Sequence, residues 1–348
     1  MVAAIDSSTL NGWSSRSPEF RKSYFEKEDS NYDPYLPVVT IPPNVEESTI
    51  PVLQQRSFTG RVLRSAVADT LCASLGVDGI LEKLNAPRCT PGSPRYQAWE
   101  YFIAEKCDIG TAYAHLWYHP LEIDIAKHVI EKCTDDAELR RDLLETRVIG
   151  KSAPPRRIWD LRANRVVPWW VVKNFKYVRA ISHAWVADDH LKYKMTPING
   201  YEWPVPMPKD ADLERIRIEM LNIGAEYVWL DVLCLRQQGQ GKDLRGNPSQ
   251  EEWDRREALR KEEWKVDLPI TGWVYNSARQ VACYLSGLGL PMCYNEPRDF
   301  EDERCCFNRA WTLQETPHDV AIVGRTRIYQ DHTTSLPCPC QGQVYNGR

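Results

Sequence analysis

Apolar residues first recur at helical spacing from Arg61 onward. The repeat runs up to Gly76, which suits a helix C-cap, through Val62, Leu63, Ala66, Val67, Leu71 and Leu75. Two further helical stretches are predicted at 96–117 and 121–148, the second beginning after Pro120. The pattern therefore predicts a helical N-terminal extension at 61–150.

From Tyr177 to Gly324 the pattern alternates between strands and helices. Short apolar runs predict four strands, at 177–182, 226–233, 280–286 and 319–323. Amphipathic stretches predict three intervening helices, at 210–223, 249–277 and 305–315. Gly224 suits the C-cap of the first helix, and Ser249 with Glu252 has capping-box spacing at the start of the second. Such alternation implies parallel pairing and right-handed crossovers, so the predicted fold class is α/β.

Proline-rich and polar stretches divide the chain into four parts. Residues 1–60 form an irregular lead-in, because prolines interrupt each short apolar piece. Ala153-Pro154-Pro155 separates the helical extension from the α/β domain, which we assign to 156–330. Residues 331–348 are predicted to form a polar tail.

Composition narrows the class of protein. The 348 residues carry a net charge of -4 with 43% hydrophobic residues, which allows a sizeable core but gives no general attraction to nucleic acid or an anionic membrane. No apolar run approaches the ~20 residues that span a bilayer, and Met1–Ser17 lacks a signal-peptide core.

Eleven irregularly spaced cysteines indicate reduced thiols and a cytoplasmic location. Cys338-Pro339-Cys340 has no matching second pair, so no metal site is expected.

Three short segments carry polar or aromatic groups at the ends of predicted strands or on a helix. They are Ile181-Ser182-His183-Ala184-Trp185, Tyr227-Val228-Trp229-Leu230-Asp231-Val232-Leu233-Cys234 and Asn308-Arg309-Ala310-Trp311-Thr312-Leu313-Gln314-Glu315. Ligands of open parallel sheets bind beyond the carboxyl ends of the strands. We therefore expect all three segments to face one crevice.

In this order the segments resemble the fungal heterokaryon-incompatibility (HET) domain, over about 156–324. Its members typically read Leu-Ser-His-x-Trp-Gly, then Trp-Leu-Asp-x-Leu-Cys-Ile-Asp-Gln, then Arg-Ala-Trp-Thr-Leu-Gln-Glu. The last pattern matches 309–315 almost letter for letter. Two positions depart from the family: Val186 stands for the usual Gly, and Arg236 for the usual Asp before Gln237.

HET domains in turn resemble Toll/interleukin-receptor (TIR) domains, some of which hydrolyse NAD. Plant TIR domains often read Ser-x-Trp-Cys-Leu-x-Glu on their third helix, and 311–315 has the same Trp-x-Leu-x-Glu spacing. The resemblance implies a TIR/flavodoxin-like, mostly parallel sheet flanked by helices, with Glu315 as the catalytic carboxylate. NAD is then a substrate, and no cofactor is implied. The residues that would bind this substrate are Ser182, His183, Trp185, Asp231 and Trp311.

Several of these residues also have a structural interpretation that the sequence leaves open. Glu315 fits an exposed position near a helix end, and Trp311 on the same helix face fits a core position. Asp231 suits the capping of neighbouring amides, and His183 suits a packed loop. Cys234 follows an apolar run and is expected to be a buried small residue.

The resemblance implies an effector of fungal self/non-self recognition, an innate-immunity response that ends in growth arrest or cell death. The proposed route is NAD hydrolysis after self-association through the HET domain, with the loop at 236–248 completing a neighbour's site. The alternative is a non-enzymatic signalling module that acts by homotypic assembly. An unrelated nucleotide-binding enzyme is disfavoured, because neither Gly-x-x-x-x-Gly-Lys-Ser/Thr nor Gly-x-Gly-x-x-Gly occurs in the chain.

Overall fold

A six-stranded sheet forms the centre of the molecule. The computed structural model describes residues 62–117, 124–146, 153–172, 178–238, 250–290, 315 and 320–324. The sheet has the order β2-β1-β6-β3-β7-β8, where the strands are β1 Arg157–Asp160, β2 Arg165–Pro168, β3 Val178–His183, β6 Tyr227–Trp229, β7 Val281–Tyr284 and β8 Val320–Val323. A separate antiparallel hairpin pairs β4 (Leu191–Lys194) with β5 (Val205–Pro208).

Four of the six central strands are parallel. β3 pairs in parallel with β6 on one side and with β7 on the other, and β8 extends the sheet beyond β7. β1 joins β6 antiparallel and forms a hairpin with β2 at that edge. Counted along the chain, the parallel strands lie in the order second, first, third, fourth, so the direction of winding changes at β3. The fold is α/β with a mostly parallel sheet, as the alternating pattern predicted.

Helices precede the sheet and connect its strands. In chain order they are α1 Ser65–Ala68, α2 Gly76–Lys83, α3 Pro94–Ala104, α4 Ile109–Trp117, α5 Ile125–Thr146, α6 Leu213–Asn222, α7 Asp231–Cys234, α8 Gln250–Asp267 and α9 Thr271–Ser277. In the part of the chain that the structure describes, no helix is both long and apolar enough to cross a membrane.

Helix α6 shows how local sequence fixes an element that covers the sheet. The Asp212 side chain accepts a hydrogen bond from the Glu214 amide and caps its start. At its end Gly224 has a φ of +80°, and the amides of Gly224 and Ala225 donate to two carbonyls of the last turn. Glu219 then accepts from the Tyr284 hydroxyl and from the Gly324 amide, which joins α6 to the ends of β7 and β8.

The helical region packs directly against the α/β region. One apolar cluster contains Trp99 and Phe102 of α3 together with Val167 of β2. Fully buried Arg217 of α6 donates to the carbonyls of Leu63 and Leu161, each at 2.7 Å. It also donates to the carboxylate of Glu214 at 3.1 Å and to the carbonyl of Arg162 at 3.3 Å. Buried hydrogen bonds therefore join the two regions as well as apolar contacts.

Most predicted elements are present with shifted bounds, and the helix predicted at 96–117 is divided into α3 and α4. The helical repeat before Gly76 is interrupted because Leu71 forms a β-bridge with Asp108, and Gly76 (φ +64°) begins α2. The predicted second helix of the α/β region ends at Asp267 and resumes at Thr271, because Pro269 has no amide hydrogen to continue it. The predicted helix 305–315 lies outside the described residues except for Glu315. The hairpins β1–β2 and β4–β5 were not predicted.

Candidate functional site

Two hydrogen-bonded pairs meet at the C-terminal end of β3. Ser182 and His183 are the last two residues of that strand, at the position where the winding of the sheet changes direction. Ser182 contacts Glu315, and His183 contacts Asp231. Four of the candidate residues from three distant parts of the sequence are thus brought to one edge of the sheet, which is where ligands of such sheets bind.

Glu315 is buried and held by a serine hydroxyl. The Ser182 Oγ donates to Glu315 Oε2 at 2.7 Å, and Ser182 itself is fully buried. Only 9% of Glu315 is exposed. The alternative in which Glu315 is an exposed helix-end residue is therefore wrong. A hydroxyl that donates to a carboxylate fixes its orientation.

His183 is enclosed by hydrogen-bond acceptors. Its Nε2 lies 2.9 Å from Asp231 Oδ1, and its Nδ1 lies 3.1 Å from the carbonyl oxygen of Ala184. The indole of Trp185 packs on the imidazole with ring centroids 5.4 Å apart. Trp185 is 39% exposed, so it presents an aromatic surface to solvent beside the buried histidine.

Asp231 occupies the first turn of α7, directly after β6. Its Oδ1 accepts from the amide of Val232 at 2.7 Å as well as facing His183. The side-chain amide of Gln237 donates to the Asp231 carbonyl at 3.1 Å and to the Leu235 carbonyl at 2.9 Å. The Asp231 side chain therefore binds one backbone amide as well as the histidine, and Gln237 holds the segment after α7 against its carbonyl.

The two pairs share an edge of the sheet but lie toward different faces. Ser182 and His183 are consecutive in β3, and successive side chains of a strand point to opposite faces. Ser182 is in register with Cys283, whereas His183 is in register with Tyr284, whose hydroxyl reaches α6. The Glu315 pair and the Asp231 pair therefore flank the end of β3, and the expectation that all candidates face one crevice beyond it stays a prediction.

Two other candidates have separate outcomes. Trp311 lies outside the described residues. Cys234 is buried as expected, and burial raises the pKa of its thiol to about 12. A thiol with such a pKa is a poor nucleophile at neutral pH, which agrees with the prediction that Cys234 is a small core residue.

A charged cluster next to α7 was missed by the sequence interpretation. The Arg236 guanidinium donates to Glu202 at 2.6 Å and to Glu263 at 3.2 Å, and Arg157 binds the same Glu263 with two hydrogen bonds. Both guanidiniums lie about 5 Å from the ring centroid of Trp203. The one sequence signal for this cluster was that Arg236 differs from the pattern that the second motif resembles.

A pocket of about 330 Å³ adjoins this cluster. Its wall includes Trp203, Arg236 and Gln237, and the first two turns of α8 complete it. Ser182, His183 and Glu315 are not part of that wall. Gln237 connects the pocket to the residues at the end of β3, because it lines the pocket and also donates to the carbonyl of Asp231.

Comparisons with models of protein families, with characterised proteins and with solved structures found no match to this chain. The function is therefore argued from the motifs and from the geometry at the end of β3.

Proposed function

We propose that this chain is a HET-domain protein with a TIR/flavodoxin-like core that hydrolyses NAD at the nicotinamide–ribose bond. The observation that supports the proposal is the buried hydrogen bond from Ser182 to Glu315 at the carboxyl end of β3. The parallel strands run second, first, third, fourth, as in the flavodoxin-like order 2-1-3-4-5, whose ligand lies where the winding changes. Glu315 lies at that position.

The chemistry requires one well-placed carboxylate. Cleavage of the bond between C1′ of the ribose and the nicotinamide nitrogen builds positive charge on the ribose. Glu315 stabilises this cation and accepts hydrogen bonds from the ribose hydroxyls. Nicotinamide leaves as a neutral base with the bonding electron pair, and water then attacks C1′ and releases a proton. The products are nicotinamide and ADP-ribose.

The neighbouring residues have distinct roles in this proposal. Ser182 is fully buried and its hydroxyl is committed to Glu315, so it positions the carboxylate and does not touch the substrate. Trp185 offers the exposed aromatic surface on which nicotinamide stacks. His183 and Asp231 hold that indole in place from the opposite face of β3.

At the level of the cell, the activity serves fungal self/non-self recognition in the cytoplasm. Depletion of NAD leads to growth arrest or cell death, and self-association through the HET domain switches the activity on. The segment from Arg236 to Pro248 contributes to a neighbouring copy's site. These statements follow from the resemblance of the three motifs to HET and TIR domains.

The direct test is nicotinamide release from NAD by the purified chain. Glu315→Gln is the sharpest variant, because its amide oxygen still accepts from Ser182 while the negative charge is lost. We expect at least a 100-fold loss of turnover in Glu315→Gln. Glu131→Gln is the matched control, since it removes an exposed carboxylate of α5 that pairs with Lys127, away from the end of β3. Equal turnover by Glu315→Gln and the unsubstituted chain would remove Glu315 from the mechanism.

One observation favours the non-enzymatic alternative. A carboxylate that is nine-tenths buried and hydrogen-bonded to a buried serine also suits a purely structural role. In that case the domain transmits its signal through contacts between copies. Light scattering across a concentration series, combined with the nicotinamide assay, separates the two functions. Assembly with no release of nicotinamide at any concentration favours the signalling module.

A further inference from the structure

Helix α5 carries exposed apolar residues at intervals of seven. Ile130, Ala137 and Leu144 form this series, which we call the α5 seam. Ile130 is 62% exposed, more than any other large apolar side chain of the described residues. Single exposed apolar residues are ordinary on a protein surface, but a repeat of seven keeps its members on one side of a helix and is typical of helix–helix pairing.

Different residues of α5 attach the helix to the rest of the molecule. Arg140 is 4% exposed, donates to the carbonyl of Pro154 at 2.8 Å and pairs with Asp136. Asp136 also accepts from the indole of Trp169 at 2.7 Å. Successive residues of a helix point about 100° apart, so Ala137 is turned well away from Asp136. The α5 seam takes no part in these contacts.

A second copy of α5 that runs in the opposite direction complements the seam. When Ala137 lies opposite its own copy, Ile130 of each helix lies opposite Leu144 of the other. This arrangement has a two-fold axis beside Ala137, as in other contacts in which one surface patch pairs with itself. Three apolar layers then cover the seam of both helices.

Opposite charges lie near the two ends of the seam, on its outer side. Lys127 and Glu145 are separated by about five helical turns, so their side chains point in the same direction. In the antiparallel pair, Lys127 of each copy lies within about 3 Å, measured along the axis, of Glu145 of the other. The Lys127 side chain is 72% exposed, and its contact with Glu131 of its own helix is long, at 3.8 Å. Symmetry therefore allows two ion pairs between the copies.

The positions of these charges favour the antiparallel orientation. In a parallel pair, Lys127 lies level with Lys127 of the other copy and about 27 Å along the axis from Glu145, so no such ion pair forms. The helix has 22 residues, with only three apolar residues in the seam. The contact is therefore small, and we expect a weak dimer that depends on concentration.

We propose that this chain forms a dimer in which α5 pairs antiparallel with α5 of a second copy, centred on Ala137. The seam lies in the helical extension, so the dimer does not rest on the proposed function. It adds a contact between copies that is separate from any association through the α/β domain.

Sedimentation velocity of the full chain, from micromolar to near-millimolar concentration, tests the proposal. We expect a reversible equilibrium between monomer and dimer. Ile130→Gln should weaken the dimer about tenfold, because symmetry removes this apolar contact twice. Leu259→Gln, at a 42% exposed position of α8, is the matched control and should dimerise as the unsubstituted chain does. A chain that stays monomeric throughout, or equal dimerisation of the two variants, would overturn the proposal.

Exchange of the two charges tests the register of the pair. Lys127→Glu and Glu145→Lys should each weaken the dimer about fivefold, because symmetry repeats each lost ion pair. The double variant should recover most of the affinity. Lys265→Glu, which breaks an ion pair with Glu262 on α8, is the control. Circular dichroism checks that each variant keeps its helices. A double variant that dimerises no better than the single ones would contradict the antiparallel register.

Disulfide formation tests the position of the two-fold axis. Ala137→Cys should cross-link to its own copy under mild oxidation, because the axis brings residue 137 of both chains together. Asp135→Cys lies on nearly the opposite side of the helix and is the control. The unsubstituted chain gives the background from its own thiols, of which Cys133 is exposed on the same helix. Equal cross-linking of Ala137→Cys and Asp135→Cys would place the axis elsewhere and overturn the proposal.

The outcomes separate this dimer from the hydrolase proposal. Glu315→Gln should dimerise as the unsubstituted chain does, since Glu315 is not part of α5. Dimerisation through the seam without any nicotinamide release would support the dimer and count against the hydrolase. Nicotinamide release by a chain that stays monomeric at every concentration would support the hydrolase and overturn the dimer.

Discussion

The hydroxyl of Ser182 donates a 2.7 Å hydrogen bond to the carboxylate of Glu315 across 133 positions of the sequence. Both residues are buried, and the bond forms at the carboxyl end of the strand where the winding of the sheet reverses. It joins the first of the three sequence motifs to the last. Whatever Glu315 does in this protein, its orientation depends on this serine.

Replacement of Ser182 by alanine should therefore affect both stability and turnover. A buried hydrogen bond to a charged group contributes roughly 1.5–3 kcal/mol, so we expect the free energy of unfolding to fall by about 2 kcal/mol in urea titrations. Under the proposed function, kcat for nicotinamide release should fall much more than KM changes, because the carboxylate is misoriented while the substrate contacts remain. Ser182→Thr keeps a hydroxyl and should recover part of kcat.

A matched control for this prediction exists in the chain. Ser65 Oγ donates to Glu214 Oε2 at 2.9 Å across 149 positions, but Glu214 is 36% exposed. Ser65→Ala should lower the free energy of unfolding by about 1 kcal/mol or less and leave kcat unchanged. If Ser182→Ala behaves like Ser65→Ala in both measurements, the Ser182 contact has no special role.

Each ring nitrogen of His183 faces a hydrogen-bond acceptor. A neutral imidazole has one N–H donor, yet Nδ1 faces the Ala184 carbonyl and Nε2 faces the Asp231 carboxylate. We expect the imidazolium form, with both ring nitrogens protonated in ¹⁵N NMR spectra at pH 7. Asp231→Asn removes the negative partner, so its histidine should be neutral in the same spectra. A single protonated nitrogen in the unsubstituted chain would contradict this assignment.

Much of the α/β region could be predicted because its signals are local. Three of the four parallel strands, β3, β6 and β7, are buried and mostly apolar, and the end of α6 is fixed by the positive φ of Gly224. The hairpin of β1 and β2 was missed because its place in the sheet depends on the pairing of β1 with β6, which is distant in the sequence. Strand order is equally non-local, since it depends on which faces the crossover helices cover.

The candidate site was likewise predicted in part, where its signals are local in the sequence. The motifs correctly indicated that Ser182, His183, Asp231 and Glu315 gather at one edge of the sheet. They did not indicate that consecutive residues of β3 send the two pairs toward opposite faces, because this depends on where the strand ends. Strand β3 continues through His183, one residue further than the apolar run predicted.

Arg217 is expected to be a main determinant of stability between the helical and α/β regions. Its guanidinium is fully buried and donates to the carbonyls of Leu63 and Leu161 and to Glu214. Arg217→Met leaves both carbonyls without this donor, so we expect the free energy of unfolding to fall by about 3 kcal/mol. Exposed Arg255→Met on α8 is the control and should change it by less than about 0.5 kcal/mol. Equal effects in urea titrations would contradict a joining role for Arg217.

Asp160 makes stability depend on pH. Its carboxylate accepts from the amides of Arg162 and Ala163 in the β1–β2 turn, yet burial raises its pKa from 3.8 to about 6. Because the folded-state pKa is the higher one, folding favours the protonated form. This contribution to the free energy of unfolding is fully present below pH 4. It is lost as pH rises through 6, and the loss amounts to about 3 kcal/mol in total.

Asp160→Asn removes this dependence, because the amide oxygen still accepts both backbone hydrogen bonds and no charge forms. Urea unfolding of both chains at pH 4, 5, 6 and 7.5 measures the effect. We expect the free energy of unfolding of Asp160→Asn, relative to that of the unsubstituted chain, to increase as pH rises. Most of this change should fall between pH 4 and 6.5. Asp212→Asn, which removes an exposed carboxylate that caps α6, is the matched control. A difference between Asp160→Asn and the unsubstituted chain that stays constant with pH would show that the carboxylate ionises in the folded protein without penalty.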